Sequence, residues 1–398
     1  MKTILFVNTL YYPDIGGGAE IVLQAQAEGL RNNGYNIIIL ATKECGDISF
    51  DLVNDIKVYR AGIKNRYWPH KKETHNPLSK FLWHLKDRYN IEMMQYLQYV
   101  IDLEKPDLII CHNLTGWTIA VWDEAKRFNI PVFQVLHDQY LLCLSSNMFR
   151  NGKICQKQCF ICGIMRKKFA IKSLNVDAVI GVSKFILDKF IDNGYFLSSD
   201  QRVIYNRVRN DDNFSFNTNI NTHKSLIIGY IGSLHVVKGL DILIKAFRKT
   251  KIEAKLLIAG KGEATYEKYL KDLASSDKRI TFLGYTNPYD FYPKIDLLIV
   301  PSVWNEPLGL IAIEACAHDI AVIASKRGGL PEIIKDGING LIINPDETSI
   351  YNAILYYAEN SPVLKLHKNN ARKSIQHLLK FELMINEYED LINSYTLK

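Results

Sequence analysis

The stretch Pro301-Ser302-Val303-Trp304-Asn305-Glu306-Pro307-Leu308-Gly309-Leu310-Ile311-Ala312-Ile313-Glu314 decides how this chain folds and where its chemistry sits. It follows an apolar run at 295–300 that reads as a buried strand, and ligands of open α/β sheets bind beyond the carboxyl ends of strands. Pro307 disfavours helical geometry at Glu306 and keeps that carboxylate in the loop. Gly309 and Leu310 open a helix, whose unpaired N–H groups and dipole favour an anion such as phosphate. Glu314 points from the same helix end. Two carboxylates eight positions apart can hold two hydroxyl-bearing groups on either side of a phosphate. The plain alternative is a surface Glu and a helix-dipole Glu.

Outward from that stretch, short apolar runs alternate with helical patterns. They lie at 4–7, 36–41, 106–112, 130–137, 178–183 and 203–206, then at 225–232, 254–260, 280–285, 295–301, 320–325 and 341–344. Most are rich in Ile and Val without polar alternation, as expected of strands buried on both faces of a parallel sheet. Amphipathic segments at 19–33, 239–249, 265–274 and 310–317 supply the crossover helices of a doubly wound α/β fold. The rhythm restarts near residue 225, predicting two Rossmann-like domains at 1–206 and 225–375. A polar linker lies at 207–224 and a C-terminal helix at 376–398.

Several smaller motifs punctuate the strand ends. Gly232-Ser233-Leu234-His235-Val236-Val237-Lys238-Gly239 places Lys238 at a helix start, where it meets a phosphate or is simply a solvated lysine. Gly260-Lys261-Gly262 and Gly284-Tyr285 leave strand ends with glycine, which admits a ligand close to the backbone or merely a tight turn. Gly16-Gly17-Gly18 follows the first strand and offers amides to an anion, or a flexible turn. His137 closes the run at 130–137. A lone histidine there is either structural or part of a site. His112, closing the run at 106–112, is the lesser candidate.

The 398 residues carry 49 Lys and Arg against 42 Asp and Glu, for a net charge of +7. The surplus is local: residues 60–88 hold +6 and residues 150–176 hold +7, leaving the remainder at −6. Both segments interleave cations with large apolar residues, among them Trp68, Phe81, Trp83 and Phe169. Such a pattern suits an interfacial contact with anionic lipid, or else a solvated face. No nucleic-acid-binding motif accompanies the charge. No run approaches the roughly 20 apolar residues of a membrane span, and the start lacks a signal-peptide core. Of seven cysteines, Cys143, Cys155, Cys159 and Cys162 cluster as C-x11-C-x3-C-x2-C. In a reducing compartment four thiolates suggest a structural zinc; a reduced loop or a redox-labile pair is the other reading.

Taken in order, Lys238-Gly239, Gly260-Lys261-Gly262, Glu306 to Glu314, Gly328-Gly329-Leu330-Pro331-Glu332 and Asp336-Gly337-Ile338-Asn339-Gly340 resemble the retaining GT-B glycosyltransferases of family 4. The resemblance runs from the first strand to about residue 345. It implies a GT-B fold, two Rossmann-like domains facing a central cleft, with the C-terminal helix packing back toward the N-terminal domain. It also implies a sugar donor carried as a UDP-, GDP- or dTDP-sugar, no metal required for chemistry, and a carbohydrate or lipid-linked glycan acceptor. The expected setting is surface polysaccharide assembly in the cytoplasm, peripheral to the inner face of the membrane.

By the same resemblance Lys238 neutralises the donor diphosphate and Glu306 binds hydroxyls of the transferred sugar. The amides of Leu308, Gly309 and Leu310 meet the phosphate, Glu314 holds the ribose, and Gly284-Tyr285 borders the base. Gly17 and Gly18 face the donor, and His137 contacts sugar or acceptor. Ser233 stands where relatives often carry Arg, which leaves Lys238 with less help unless Arg207, Arg209 or Arg327 reaches in. The helix after Glu314 also lacks the family's small-Gly-x-Pro turn, reading Cys316-Ala317-His318-Asp319 instead. A nucleotide-sugar epimerase of similar fold and a non-catalytic partner subunit are the alternatives; the first would lack the paired glutamates, and Ser233 makes the second thinkable.

Overall fold

The computed structural model describes residues 1–71, 74–207 and 225–396. The expected linker therefore lies, from residue 208 on, outside the described residues, as does Arg209. The chain divides into two compact units. The first comprises Met1–Met148, Cys155–Asn206 and Glu382–Lys398; the second comprises Phe149–Ile154 and Arg207–Phe381.

The first unit is built on an eight-stranded sheet. Its strands are β1 (Thr3–Val7), β2 (Asn36–Lys43), β3 (Ser49–Val53), β4 (Ile56–Gly62), β5 (Leu108–Cys111) and β6 (Val132–Leu136). After the short hairpin β7 (Phe149–Arg150) and β8 (Lys153–Ile154) come β9 (Ala178–Gly181) and β10 (Asp200–Val203). The sheet order is β10-β9-β6-β5-β1-β2-β4-β3. β3 is antiparallel to β4, and the other neighbours are parallel. β1 is central, with Leu5 opposite Ile38 on one side and Ile109 on the other. Residues Ile4–Val7 are wholly buried, which explains their unbroken apolar character.

The second unit holds β11 (Leu226–Ile231), β12 (Ala254–Ala259), β13 (Ile280–Gly284), β14 (Leu297–Val300), β15 (Ala321–Ser325) and β16 (Gly340–Ile343). All are parallel, in the order β13-β12-β11-β14-β15-β16. Counted within the sheet this is 3-2-1-4-5-6, the doubly wound order whose ligand crevice opens between strands 1 and 4. Here those are β11 and β14. The helix Leu240–Lys249 packs its buried Leu243, Ile244 and Phe247 into the same cluster as Ile228, Leu256 and Ile299.

The helix Phe381–Thr396 belongs to the first unit from Glu382 on. It buries Met384, Ile385, Tyr388, Leu391 and Ile392, an apolar stripe at helical spacing. Polar contacts fix its register: Lys2 Nζ donates to Asn393 Oδ1 at 3.0 Å, Asn33 to Glu389 at 2.9 Å, and Tyr395 to the Asp177 carbonyl at 3.1 Å.

Four strands escape the sequence reading. β7 and β8 are two residues each, too short to leave a run. β3 and β4 lie at the sheet margin, where polar residues interrupt the apolar signal, as in Ile56-Lys57-Val58-Tyr59-Arg60. The apolar run at 203–206 also misplaces β10, whose residues Asp200-Gln201-Arg202-Val203 are mostly polar because an edge strand is not covered on both faces. The turn after Cys316 is closed by Asp319 in the left-handed region at φ 56°, a conformation Asp tolerates better than most residues. No helix among the described residues is long and apolar enough to cross a membrane.

Candidate active site

In the second unit the residues singled out at 301–314 and at 232–239 come together at the β11/β14 switch point. Lys238 ends the short 3-10 turn after β11, and Glu306 lies in the loop after β14. Lys238 Nζ is 2.7 Å from Glu306 Oε1. The hydroxyl of Ser302, itself buried, donates to the same oxygen at 2.6 Å. Trp304 lies beneath the ammonium, its ring centroid 5.2 Å from Nζ. Glu306 is 8% exposed at its side chain and Lys238 24%, so the pair is sheltered but reachable. Both donors use Oε1. Oε2 has no protein partner among the described residues and stays available to accept hydroxyls.

The backbone around Glu306 is held by the later glycine pair. Gly329 N–H donates to the Glu306 carbonyl at 2.8 Å. Gly328 sits at φ 59°, and a Cβ there would lie 1.9 Å from that carbonyl oxygen. Gly328→Ala is therefore expected to destabilise the second unit by about 1–3 kcal/mol and to displace Glu306. Urea midpoint and donor turnover, measured together, check both effects.

Glu314 lies on the helix Leu310–Ala317, with Tyr292 Oη donating to its Oε2 at 2.8 Å. Burial pushes its carboxyl up to about 7, partly offset by the Tyr292 bond. Gly284 ends β13, and Tyr285 follows it with 76% of its surface exposed. Leu308 is buried and anchors the loop that presents Gly309 and Leu310, the latter the first residue of the helix.

Gly260 and Gly262 have a reason the sequence left open. A Cβ on Gly260 would lie 1.8 Å from the Gly232 carbonyl oxygen, and one on Gly262 2.0 Å from that of Leu234. The two glycines let the loops after β11 and β12 lie against each other. Ser233 is exposed, with its carbonyl accepting from Tyr230 Oη at 2.8 Å. Of the candidate substitute cations, Arg327 turns one guanidinium nitrogen to the Lys326 carbonyl at 3.1 Å. Arg207 is buried beside β10 in sequence, and its charge bears on His377.

In the first unit, the loops after β1, β5 and β6 hold the other candidates. His112 Nδ1 and His137 Nε2 are 2.7 Å apart, with the rings 17° from parallel. The bond needs one donor, so one facing nitrogen carries a proton. Burial lowers His112 well below the usual imidazole range and His137 to about 4, keeping both neutral near pH 7. The sequence treated the two as separate candidates; they are one pair. Asp138 accepts from Tyr140 N–H at 2.7 Å, and burial raises its carboxyl to about 6, with the Glu20 charge adding to the effect. Glu20, also raised by burial, takes the Gly17 N–H at 2.8 Å. The Gly17 amide is thus engaged by its own helix, while Gly18 begins that helix. Glu20, Ser302, Tyr292 and Trp304 had no individual role in the sequence reading. Ser302 and Trp304 lay inside its decisive stretch, whereas Tyr292 is distant in sequence from Glu314 and left no local signal.

The four-cysteine zinc site is not formed. Among the described residues no three His, Cys, Asp or Glu side chains gather as a metal would require. Cys155 is pinned by its N–H to Met148 O at the base of the β7–β8 hairpin, and Cys159 occupies the position just before the helix Phe160–Met165. Cys143 and Cys162 approach as a thiol pair with sulfurs 4.0 Å apart.

Two parallel-sheet α/β units, with polar side chains gathered beyond the strand ends of each, are the architecture of GT-B glycosyltransferases. The chain belongs to the glycosyltransferase group 1 and Family 4 enzymes. The model of "Glycosyl transferases group 1" matches residues 211–374, and that of "Glycosyltransferase Family 4" matches residues 16–211. An uncharacterized 42.6 kDa protein in the cps region of Klebsiella pneumoniae is 33% identical over 330 residues, covering 83% of this chain and 87% of that protein. In fold the chain is similar to sucrose-phosphate synthase from Thermosynechococcus elongatus, with TM-score 0.77, 19% identity and 99% of both chains covered. It is also similar to Anabaena Alr3699/HepE in complex with UDP and glucose, with TM-score 0.73, 18% identity, and 99% of this chain and 100% of that one covered.

Proposed function

We propose that the chain moves a sugar from a nucleoside diphosphate sugar to a glycan or lipid-linked glycan of a surface polysaccharide, with retention of anomeric configuration. The observation that carries this reading is the Lys238–Glu306–Ser302 arrangement at the switch point, two donors on one carboxylate oxygen and none on the other. Lys238 balances the diphosphate, and Glu306 Oε2 accepts hydroxyls of the transferred sugar. The amides at Leu308, Gly309 and Leu310 receive the phosphate. Departure of the nucleoside diphosphate builds negative charge, which fixed cations and amides stabilise more in the transition state than in the ground state. His137, neutral through burial, contacts the sugar or acceptor rather than acting as a strong base. UDP, present in the Anabaena structure, is the first base to test, followed by GDP and dTDP. The kinship with a cps-region protein supports a surface-polysaccharide acceptor. A lipid-linked acceptor would put the enzyme in the cytoplasm, touching the inner face of the membrane. A panel of nucleotide sugars, scored by slow hydrolysis and acceptor-dependent transfer, tests the reading; no turnover of any donor by the folded chain would overturn it.

Glu314 makes donor binding pH-dependent in this scheme. Two ribose hydroxyls donate best to an ionised carboxylate, and Glu314 is about half protonated near pH 7. Affinity for the nucleoside diphosphate is expected to fall as pH drops below 7, by up to about tenfold per unit, and to level off above 8. Glu314→Gln is expected to flatten that profile while weakening binding throughout. Calorimetric titration between pH 5.5 and 8.5 measures both.

A further inference from the structure

Two surface regions unused by the sugar chemistry meet in the first unit. The helix Pro77–Lys86 buries Trp83 but exposes Leu78, Phe81 and Leu85, at 67%, 50% and 37%. Their spacing, three and then four, places them on one helix face. An amphipathic helix of a globular protein ordinarily turns that stripe inward. The segment after the β7–β8 hairpin does the same: Phe160, Ile161, Ile164, Ile171 and Leu174 are all exposed.

One groove of about 470 Å³ joins the two regions. Leu85, Arg88 and Tyr89 line it from the first, Met165, Lys168, Phe169 and Lys172 from the second, and Ile119 is buried at its base. The acids nearby are occupied. Asp123 takes Lys172 Nζ at 2.6 Å and Tyr89 Oη, and Glu92 pairs with Lys86 at 2.8 Å. Arg88, Lys167 and Lys168 form no ion pair among the described residues. Uncompensated cations therefore border an apolar trough flanked by exposed Leu, Phe and Ile. A nucleic acid or an acidic glycan would satisfy the cations and leave those side chains in water. A bilayer satisfies both.

We propose that this face seats the protein on a membrane rich in anionic phospholipid. Arg88, Lys167 and Lys168 meet lipid phosphates, Leu78, Phe81 and Phe160 enter the headgroup boundary, and the groove takes one acyl chain. The proposal deepens the membrane contact of the function reading by naming its surface, and its evidence is independent of the donor site.

Flotation of the full chain tests it, using vesicles of phosphatidylcholine alone or with about 30% phosphatidylglycerol. Binding is expected to be at least about tenfold stronger to the anionic vesicles at low salt and to weaken steeply toward about 0.5 M salt. The Arg88→Glu/Lys168→Glu variant is expected to lose about tenfold or more, and Leu78→Ser/Phe81→Ser several-fold. The exposed Lys167→Glu serves should the double variant not fold. Equal binding to neutral vesicles, no binding at low salt, or unchanged binding by the folded charge variants overturns the proposal. Donor hydrolysis in the same preparations separates the two readings. It is expected to be unchanged in these variants, and a wild-type chain that binds vesicles but turns over no donor would overturn the transferase reading alone.

Discussion

Replacing Glu306 by alanine is expected to lower donor turnover by about 10²–10³-fold while leaving the chain folded. The loss is large because Glu306 does two things at once. Its Oε1 fixes Lys238 and Ser302, and in the proposed scheme its Oε2 accepts hydroxyls of the sugar. Removing the carboxylate leaves a sheltered ammonium without its counter-ion and deletes the acceptor for sugar hydroxyls. Glu306→Gln separates the two roles, since an amide oxygen still accepts from Lys238 but brings no charge. It is expected to recover part of the binding and little of the rate. Steady-state kcat and KM for hydrolysis, with circular dichroism as the folding control, decide it; turnover within a few-fold of wild type would remove Glu306 from the chemistry.

Lys238→Met is the second large effect, expected at about 10²-fold or more in kcat/KM. Methionine keeps much of the stem's bulk beside Trp304 but cannot balance a leaving diphosphate. In the proposed scheme the burden on Lys238 is heavier because Ser233, earlier in the same loop, brings no second cation. Ser233→Arg is therefore expected to tighten nucleoside diphosphate binding and to soften the loss caused by Lys238→Met. The double variant Lys238→Met/Glu306→Gln is expected to be markedly less damaged than the sum of the single changes, because the two side chains act as a bonded unit. Additive losses would show that the 2.7 Å contact has no part in turnover.

How far the molecule could be read from its sequence depended on where each residue lies in the sheets. Central strands such as Ile4–Val7 and Leu297–Val300 are covered on both faces, so their apolar runs announced them. Marginal strands such as Asp200–Val203 carry polar side chains and gave no such run. Glu306, Glu314 and Lys238 were legible because their loops follow strong strands at fixed short distances. The partners that tune them were less so. Tyr292 reaches Glu314 from a different element, and His112 meets His137 only because β5 and β6 are sheet neighbours. Spacing alone misled at the cysteines. C-x11-C-x3-C-x2-C puts four thiols near each other in sequence, but the fold sets Cys162 against Cys143 and Cys159 without gathering a metal's ligand set among the described residues.

The return of the helix Phe381–Thr396 has a consequence for biosynthesis. The first unit is encoded on both sides of Arg207–Phe381, the main segment of the second unit. As the polypeptide emerges, the surface destined for Met384, Ile385, Tyr388, Leu391 and Ile392 stays uncovered while some 180 residues are still being made. The nascent first unit is thus the vulnerable intermediate, and the second unit the one that can close as it emerges. Supplying residues 376–398 in trans to a ribosome-stalled chain tests the order, with protection of the β1 and β2 segments from protease as its readout.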